Sequence, residues 1–283
     1  MPNLLEVTNL RDVIENHKKP IFIVPEPLPS SSQTKHLLFI HGADYHTPSE
    51  VIRDFALPYS KHSELLEKHK DCKIYLYHWN SNLIKNTDLR FSNYKSLLKS
   101  VKFLGPKIID WSKTYRCLES RCENSARLLS KEFTRHFRNC HDITVVTHSL
   151  GARVWCQAIQ EFAKNDTNGF PKNHWINLQP AIEKNAFEHQ GAFHFIPDLY
   201  QQNGGRIDTL YSKYDMILST IYQRAKKFTA MGQKGCQNLE NLFFHDVSPV
   251  ALESHGTLSL HPLKGCFFER VQYLLQTTTE VKL

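Results

Sequence analysis

A short β-branched strand that passes almost directly into a helix constrains the fold of this chain more than any other feature. Residues 142–146, Asp-Ile-Thr-Val-Val, have the length and composition of a strand. A helical pattern over 152–164 follows after only the five residues of 147–151, Thr-His-Ser-Leu-Gly. A helix that follows a strand so closely must pack against the sheet to which the strand belongs. The segment therefore predicts a βα unit of a parallel sheet.

Other short apolar runs repeat this alternation along the chain. The run at 36–40 is almost continuously apolar, which is typical of a strand buried on both faces of a parallel sheet. Further strands are predicted over 21–24, 73–79, 175–178, 206–211 and 241–244, and helices over 48–69, 119–137, 152–164 and 267–275. We therefore expect an α/β fold with a mostly parallel sheet and helices on both faces.

The domain boundaries follow from composition. Residues 1–34 are an N-terminal preface whose Pro- and Ser-rich part, 25–32, predicts a loop. Residues 35–283 are the α/β domain, and the 283-residue chain is long enough for one such domain with a full core. Residues 80–115 mix basic, polar and aromatic side chains and are predicted to be a helical cap or insertion. Whether this segment covers a functional site or only packs on the periphery stays open.

Composition and charge exclude several classes of protein. The hydrophobic content of 41% argues against disorder, and no apolar stretch approaches the roughly 18 residues that a membrane span needs. The net charge of +7 comes with no nucleic-acid-binding motif, so no nucleic-acid partner is expected. Seven scattered cysteines without a CxxC pair, and an N-terminus without a signal-peptide pattern, predict a cytoplasmic protein with reduced thiols. Signal-less export and contact with a membrane surface stay open.

The turn between strand and helix contains a serine, Ser149. A tight turn lifts such a hydroxyl clear of the sheet edge, and the helix N-terminus directs backbone N–H groups at developing negative charge. The segment resembles the nucleophile elbow, G-x-S-x-G, of lipases and esterases of the α/β-hydrolase superfamily. Gly151 matches the second glycine of that pattern, whereas Thr147 stands where the first is expected. The resemblance implies that Ser149 is the nucleophile of a serine hydrolase.

The strand at 36–40 ends in His41-Gly42-Ala43. Lipase-like hydrolases have a similar segment upstream of the nucleophile, and the residue after its glycine donates one N–H group to the oxyanion hole. The residue after the serine donates the other. The resemblance therefore implies that the backbone amides of Ala43 and Leu150 form the oxyanion hole.

The resemblance also implies that an acid and then a histidine follow the serine along the chain. Asp215 comes just after the predicted strand 206–211, which places it at the same sheet edge as the nucleophile. Its segment, Ser212-x-x-Asp215-x-x-Leu218, resembles the acid segment of bacterial α/β-hydrolases without an assigned substrate. Asp215 is therefore the predicted acid.

Other roles and other aspartates compete with this assignment. Asp215 could instead cap a helix that begins at Met216. Asp208 lies inside the predicted strand and should point to a sheet face, so it ranks lower. Asp246 follows the last predicted strand and is the second choice for the acid.

Three downstream histidines are candidates for the general base. His255 lies in the loop 252–256, in the region where the resembling family has its histidine, and is favoured. His245 ends the last predicted strand, and His261 precedes a proline. Both stay open as alternatives.

These residues predict a serine hydrolase that cleaves a carboxylic ester through an acyl-enzyme. The expected substrate is a small or lipid ester, and no cofactor is expected. His41, Asp44 and His46 do not form a metal-binding motif, so no catalytic metal is expected. Thioester or amide cleavage by the same triad, or a binding protein without turnover, are the competing hypotheses. The sequence predicts neither the acyl length nor the oligomeric state.

Overall fold

The computed structural model of the protein describes residues 21–23, 35–43, 72–81, 111–137, 140, 143–165, 170–236 and 240–248. Strands and helices alternate along this part of the chain. In chain order the elements are β1 (Ile21–Ile23), β2 (Lys35–Ile40), β3 (Cys72–His78), α1 (Trp111–Phe137), β4 (Ile143–His148), α2 (Gly151–Asn165), β5 (Asn173–Leu178), α3 (Phe195–Gln202), β6 (Arg206–Tyr211), the π-helical turn π1 (Leu218–Tyr222), α4 (Gln223–Lys226), α5 (Met231–Lys234) and β7 (Leu242–Asp246).

The strands form one sheet in the order β1-β3-β2-β4-β5-β6-β7. Every neighbouring pair from β3 to β7 is parallel, and only β1 runs antiparallel to its neighbour β3. Parallel neighbours need crossover connections, which explains the long segments between successive strands. The predicted α/β fold with a mostly parallel sheet is therefore confirmed.

Both faces of the sheet are buried, as the continuous apolar runs predict. On one face Leu38, Val145 and Trp175 join a core cluster with side chains of α1 and α2. On the other face Leu37 and Phe39 are also buried. Burying one such side chain typically contributes about 1.5–3 kcal/mol, so burial on both faces contributes strongly to the stability of the sheet.

Helix α1 begins at Trp111, eight residues before its predicted start at 119. Tyr115 and Leu118 are buried, and they continue the helical spacing of the later core residues. The charged and aromatic composition around residue 113 obscures this spacing in the sequence. Residues 111–115 therefore belong to α1 rather than to the predicted insertion 80–115. Most of that insertion, 82–110, lies outside the described residues, as do the predicted helices 48–69 and 267–275.

Helix α3 lies in a part of the chain, between 178 and 206, where the sequence predicts no helix. Ile196, Leu199 and Tyr200 form its buried face, and Trp155 donates an indole hydrogen bond to the Tyr200 hydroxyl at 3.0 Å. The polar residues between these buried side chains obscure the helical spacing in the sequence. Pro197 is tolerated because it lies in the first turn, where backbone N–H groups have no helical partner.

The register of the strands brings several chain segments to one edge of the sheet. Ile40 on β2 is level with Thr147 on β4, and Thr147 is level with Asn177 on β5. Asn177 is in turn level with Thr209 on β6. The residues that follow these strands therefore leave the sheet side by side at its carboxyl edge. Among the residues that the structure describes, no helix is both long and apolar enough to cross a lipid bilayer.

Candidate active site

Ser149 lies in a strained turn between β4 and α2. Its φ of 52° is in the left-handed region, which costs a residue other than glycine about 1–2 kcal/mol. A Cβ atom on Gly151 would lie 2.3 Å from the carbonyl oxygen of Ile40 and 2.7 Å from that of His41. Only glycine fits at this position, because α2 begins directly against the end of β2. The turn thus has the strand–turn–helix geometry that was predicted for it.

Backbone hydrogen bonds join Ser149 to β5, to the segment after β5 and to the first turn of α2. Its N–H group donates to the Leu178 carbonyl at 3.0 Å. Its own carbonyl accepts from Ala181 at 3.0 Å and from Ala152 at 3.2 Å. These bonds stabilise the strained turn and fix the position of the serine relative to β5.

Thr147, which stands where the resembling pattern has glycine, is fully buried on β4. Its hydroxyl donates to the Asn177 side-chain oxygen at 2.6 Å and accepts from the Trp175 indole N–H at 2.9 Å. Both partners are on β5, so the side chain is accommodated across the sheet. The threonine therefore departs from the pattern without preventing the turn from forming.

His41 fixes the turn that follows β2. Its Nδ1–H donates to the Gly42 carbonyl at 2.7 Å, and its Nε2 accepts from the Trp79 backbone N–H at 3.1 Å. Burial, together with the neighbouring His78, lowers the pKa of His41 well below its ordinary value. The ring is therefore neutral in the tautomer that these two hydrogen bonds require.

The turn after β2 lies directly against the turn at Ser149. A Cβ atom on Gly42 would lie 2.9 Å from the Ser149 Cβ atom and 2.8 Å from the His148 Nδ1 atom. This contact places Ala43, the next residue, beside the Ser149 turn. The assignment of the Ala43 and Leu150 amides as oxyanion donors stays a prediction.

Asp215 is fully buried in the turn after β6. Its backbone N–H donates to the Ser212 carbonyl at 3.2 Å, and one of its carboxylate oxygens accepts from the Leu218 N–H at 2.9 Å. The latter bond is the helix-capping interaction considered for this residue. A carboxylate has two oxygens, so capping leaves the acid role open. Because β6 lies two strands from β4, the ends of these two strands are about 10 Å apart across the sheet.

The candidate bases differ in where they lie. His255 and His261 are outside the described residues. His245 is on β7, three strands from β4, which is a separation of about 14 Å across the sheet. Its Nε2 atom lies 2.6 Å from an oxygen of Asp208. The structure therefore does not bring His245 to Ser149.

Asp208 is fully buried on a face of the sheet, as predicted for a residue inside a strand. Besides His245, its carboxylate accepts from His174 at 2.7 Å and from the Arg206 guanidinium at 2.6 Å. Although burial opposes it, hydrogen bonds from these three side chains hold the pKa of Asp208 well below its ordinary value. Sequence reasoning missed this cluster, because 34 residues separate His174 from Asp208.

Asp246 binds Lys213, in the turn that contains Asp215, and Ser248. Its carboxylate lies 2.6 Å from the Lys213 Nζ atom and also accepts from Ser248. Although burial opposes it, the hydrogen bonds from Lys213 and Ser248 lower the pKa of Asp246. The Lys213 N–H donates to the Ser248 hydroxyl at 2.8 Å, so the chain leaves β7 beside the turn that contains Asp215.

A network of ion pairs, which sequence reasoning also missed, joins α2 to its neighbours. Arg153 on α2 lies 2.8 Å from Glu119 on α1 and 3.2 Å from Glu183 in the segment after β5. Lys226 on α4 lies 2.6 Å from the same Glu119. Although burial opposes it, Arg153 and Lys226 lower the pKa of Glu183. The network ties α2 to the helical segment that follows Asp215.

Within the described ranges, no group of three or more His, Cys, Asp or Glu side chains is arranged to hold a metal ion. At the carboxyl edge of the sheet, the described residues include a serine in a strained turn and a buried carboxylate two strands away.

No protein-family profile and no curated protein matches the chain. The solved structures that it resembles include an esterase from the Planctomycetes species Thermogutta terrifontis, at 9% identity and a TM-score of 0.43, covering 92% of this chain and 86% of that one. An esterase from Rhodococcus sp. has 10% identity and a TM-score of 0.41 over 91% and 94% of the two chains. Est1E from Butyrivibrio proteoclasticus has 11% identity and a TM-score of 0.40 over 92% and 94%. Similarity this distant transfers neither a substrate nor a catalytic residue.

Proposed function

We propose that this chain, which has the α/β-hydrolase fold, is a serine hydrolase that cleaves carboxylic esters. The observation that carries the proposal is the left-handed turn at Ser149, packed between the start of α2 and the end of β2. Strain of this kind persists only where the surrounding structure enforces it, and such sites are often functional. A buried carboxylate, Asp215, two strands away at the same edge of the sheet adds support.

The proposed mechanism uses three side chains and two backbone amides. His255 removes the Ser149 proton as the hydroxyl oxygen attacks the ester carbonyl, and Asp215 stabilises the resulting imidazolium. The amides of Ala43 and Leu150 bind the oxyanion. Collapse of the intermediate transfers the proton from His255 to the leaving alcohol. Water then attacks the acyl-enzyme by the same route and releases the acid and the free serine.

The path of the chain after β7 supports a base from the segment that follows. Val247 donates its N–H to the Tyr211 carbonyl at 2.9 Å, so this segment begins beside the acid turn. His255 is seven residues beyond Ser248, and seven residues can span about 23 Å. The ends of β6 and β4, two strands apart, are separated by about 10 Å, which is shorter than that reach. The choice of His255 over His261 rests on the family resemblance of its loop.

Hydrolysis of p-nitrophenyl esters of increasing acyl length tests the proposal and reports the preferred acyl group. We expect the wild-type protein to release p-nitrophenol and Ser149→Ala to lose at least about 1,000-fold in kcat. Ser130→Ala is the matched control, because Ser130 and Ser149 are both 6% exposed and Ser130 lies on α1. Equal rates for Ser149→Ala and Ser130→Ala would refute the proposal. Thioesters and anilides of the same acyl group then compare ester cleavage with thioester and amide cleavage.

A further inference from the structure

Gln179, the residue directly after β5, has a φ of 45° and is 1% exposed. In the described part of the chain, the other non-glycine residues with positive φ are Ser149 and Lys227. Lys227 follows the last residue of α4, where a left-handed residue is an ordinary way to end a helix. Ser149 is the proposed nucleophile. Gln179 has no helix to end, so its strain needs another explanation.

The reversal at Gln179 brings the chain back to the nucleophile. The residue before it, Leu178, accepts the Ser149 N–H, and Ala181 donates its own N–H to the Ser149 carbonyl. An extended residue at 179 would carry Ala181 away from Ser149. Gln179 itself donates its N–H to the Leu210 carbonyl on β6 at 2.9 Å. The segment 178–181 is therefore hydrogen-bonded both to Ser149, which follows β4, and to Leu210 on β6.

A second set of backbone bonds continues from this reversal to the acid. Gly232 on α5 donates to the Pro180 carbonyl at 2.9 Å and accepts from the Ser212 N–H at 3.0 Å. Ser212 in turn accepts the Asp215 N–H. A Cβ atom on Gly232 would lie only 2.3 Å from the Gln179 carbonyl carbon, so the contact requires glycine. The segment 179–180 is thus the link through which the Ser149 turn and the Asp215 turn are joined.

We propose that Gln179 is a positioning residue that sets the separation between Ser149 and Asp215. The inference rests on the proposed hydrolase function. Glycine would adopt this backbone without steric cost, whereas the residue here is a glutamine whose side chain is buried, and in the proposed role its carboxamide holds the reversal in place. Buried carboxamides are restrained by hydrogen bonds, and a restrained side chain at this point immobilises the segment that joins the two turns.

Three variants separate the contribution of the Gln179 carboxamide from that of the left-handed backbone. Gln179→Met keeps the length of the side chain and the left-handed backbone but removes the carboxamide. Gln179→Ala removes the side chain and keeps the backbone strain, whereas Gln179→Gly removes both. Gln160→Met, on the half-buried side of α2, is the matched control for the chemical change.

Steady-state ester hydrolysis, the rate of labelling by a fluorophosphonate and the thermal midpoint are measured for each purified full-length protein. We expect all three Gln179 variants to lose about 10- to 100-fold in kcat, because displacement of a reacting group by about 1 Å costs this much. KM should change by less than about threefold, since substrate binding is not removed. The labelling rate should fall in parallel with kcat. Gln179→Gly should melt at a higher temperature than Gln179→Ala, because only glycine relieves the strain.

The outcomes distinguish this inference from the proposed function. Wild-type kcat in Gln179→Met, or a Gly variant that melts below the Ala variant, would overturn the positioning role. Losses of kcat that disappear when the variants are assayed well below their thermal midpoints would also overturn it, since they would reflect unfolding alone. Absence of Ser149-dependent labelling in the wild-type protein would overturn the proposed function and this inference together.

Discussion

Thr147 illustrates how a residue that breaks a sequence pattern can fit the structure. A threonine hydroxyl in a buried strand needs hydrogen-bond partners, and β5 supplies both a donor and an acceptor for it. Hydrogen bonds thereby hold the Thr147 side chain against β5. The close approach between the start of α2 and the end of β2 is made possible by Gly151, on the other side of Ser149.

Thr147→Val removes the hydroxyl and keeps the shape of the side chain. Trp175 then loses the acceptor for its indole N–H, and Asn177 loses a donor, in a fully buried setting. We expect a loss of about 1–3 kcal/mol in the free energy of unfolding, measured by urea denaturation. Thr144→Val, a half-buried site on the other face of β4, should change stability by less than about 0.5 kcal/mol. Equal effects of the two substitutions would contradict this account of Thr147.

Asp215 and Asp246 can be compared directly as candidate acids. Asp215→Asn should lower kcat by about 1,000- to 10,000-fold with little change in KM, because the imidazole loses its orienting anion. Asp246→Asn should lower kcat by less than about tenfold, since this carboxylate binds Lys213 and Ser248. Steady-state kinetics on the same ester measure both. The reverse order of effects would assign the acid to Asp246.

At the residue scale, the sequence was most informative about chain geometry that is local. Ser149 directly follows β4 and Asp215 lies four residues beyond the end of β6, and a strand end is visible as a break in an apolar run. The partners of Asp208 were not visible, because His174 and His245 reach it only through the cross-strand register. Pairings between residues so distant in sequence depend on which strands are neighbours, and strand order is not written in any one segment.

Among the elements around Ser149, the end of β2 contacts its turn directly, through Gly42. The turn after β2 is fixed by the neutral ring of His41. A segment more than 100 residues before Ser149 in the sequence therefore lies against it. The turn after β2 is therefore expected to be intolerant of added volume.

Gly42→Ala tests that expectation. The added methyl group would overlap the Ser149 Cβ atom at 2.9 Å, and moving either turn would misalign the proposed oxyanion donors. We expect a loss of about 100-fold in kcat in protein that remains folded by circular dichroism. Gly204→Ala is the control: it has a φ of 63° but its nearest neighbours are 3.9 Å away. That variant should lose stability and retain kcat, and a comparable loss of kcat in both would contradict the role of β2.

Element boundaries were less predictable than the existence of the elements. The strands at 36–40 and 206–211 were predicted closely, because each is a compact apolar run with turn residues at its ends. The start of α1 was placed too late and α3 was missed. Both errors have the same cause: a helix that buries only every third or fourth residue can be mostly polar, so its pattern is weak over a short segment.

For the molecule as a whole, buried histidine chemistry predicts how stability depends on pH. The pKa of His41 lies well below its ordinary value of 6.5 in the folded protein. Below about pH 6.5 the unfolded chain therefore binds a proton at this residue that the folded protein does not bind. His41 thus stabilises the fold above its unfolded pKa, and this contribution is lost as the pH falls below 6.5.

Urea midpoints between about pH 8 and pH 5.5 measure this contribution. We expect the urea midpoint of the wild-type protein to fall as the pH is lowered. His41→Gln should be less stable at pH 8, and its urea midpoint should depend less steeply on pH. His189→Gln removes an exposed histidine and should leave the slope as in the wild-type protein. A slope unchanged by His41→Gln would show that His41 titrates normally in the folded state.

The central claim is that Ser149 is an activated nucleophile, and covalent labelling tests it most directly. The purified protein is treated with a fluorophosphonate, and the labelled peptide is located by mass spectrometry. The account predicts one added probe per chain, attached to Ser149, and no labelling after prior denaturation in urea, because activation depends on the folded site. Labelling that survives Ser149→Ala, or a folded protein that does not react at all, would contradict it.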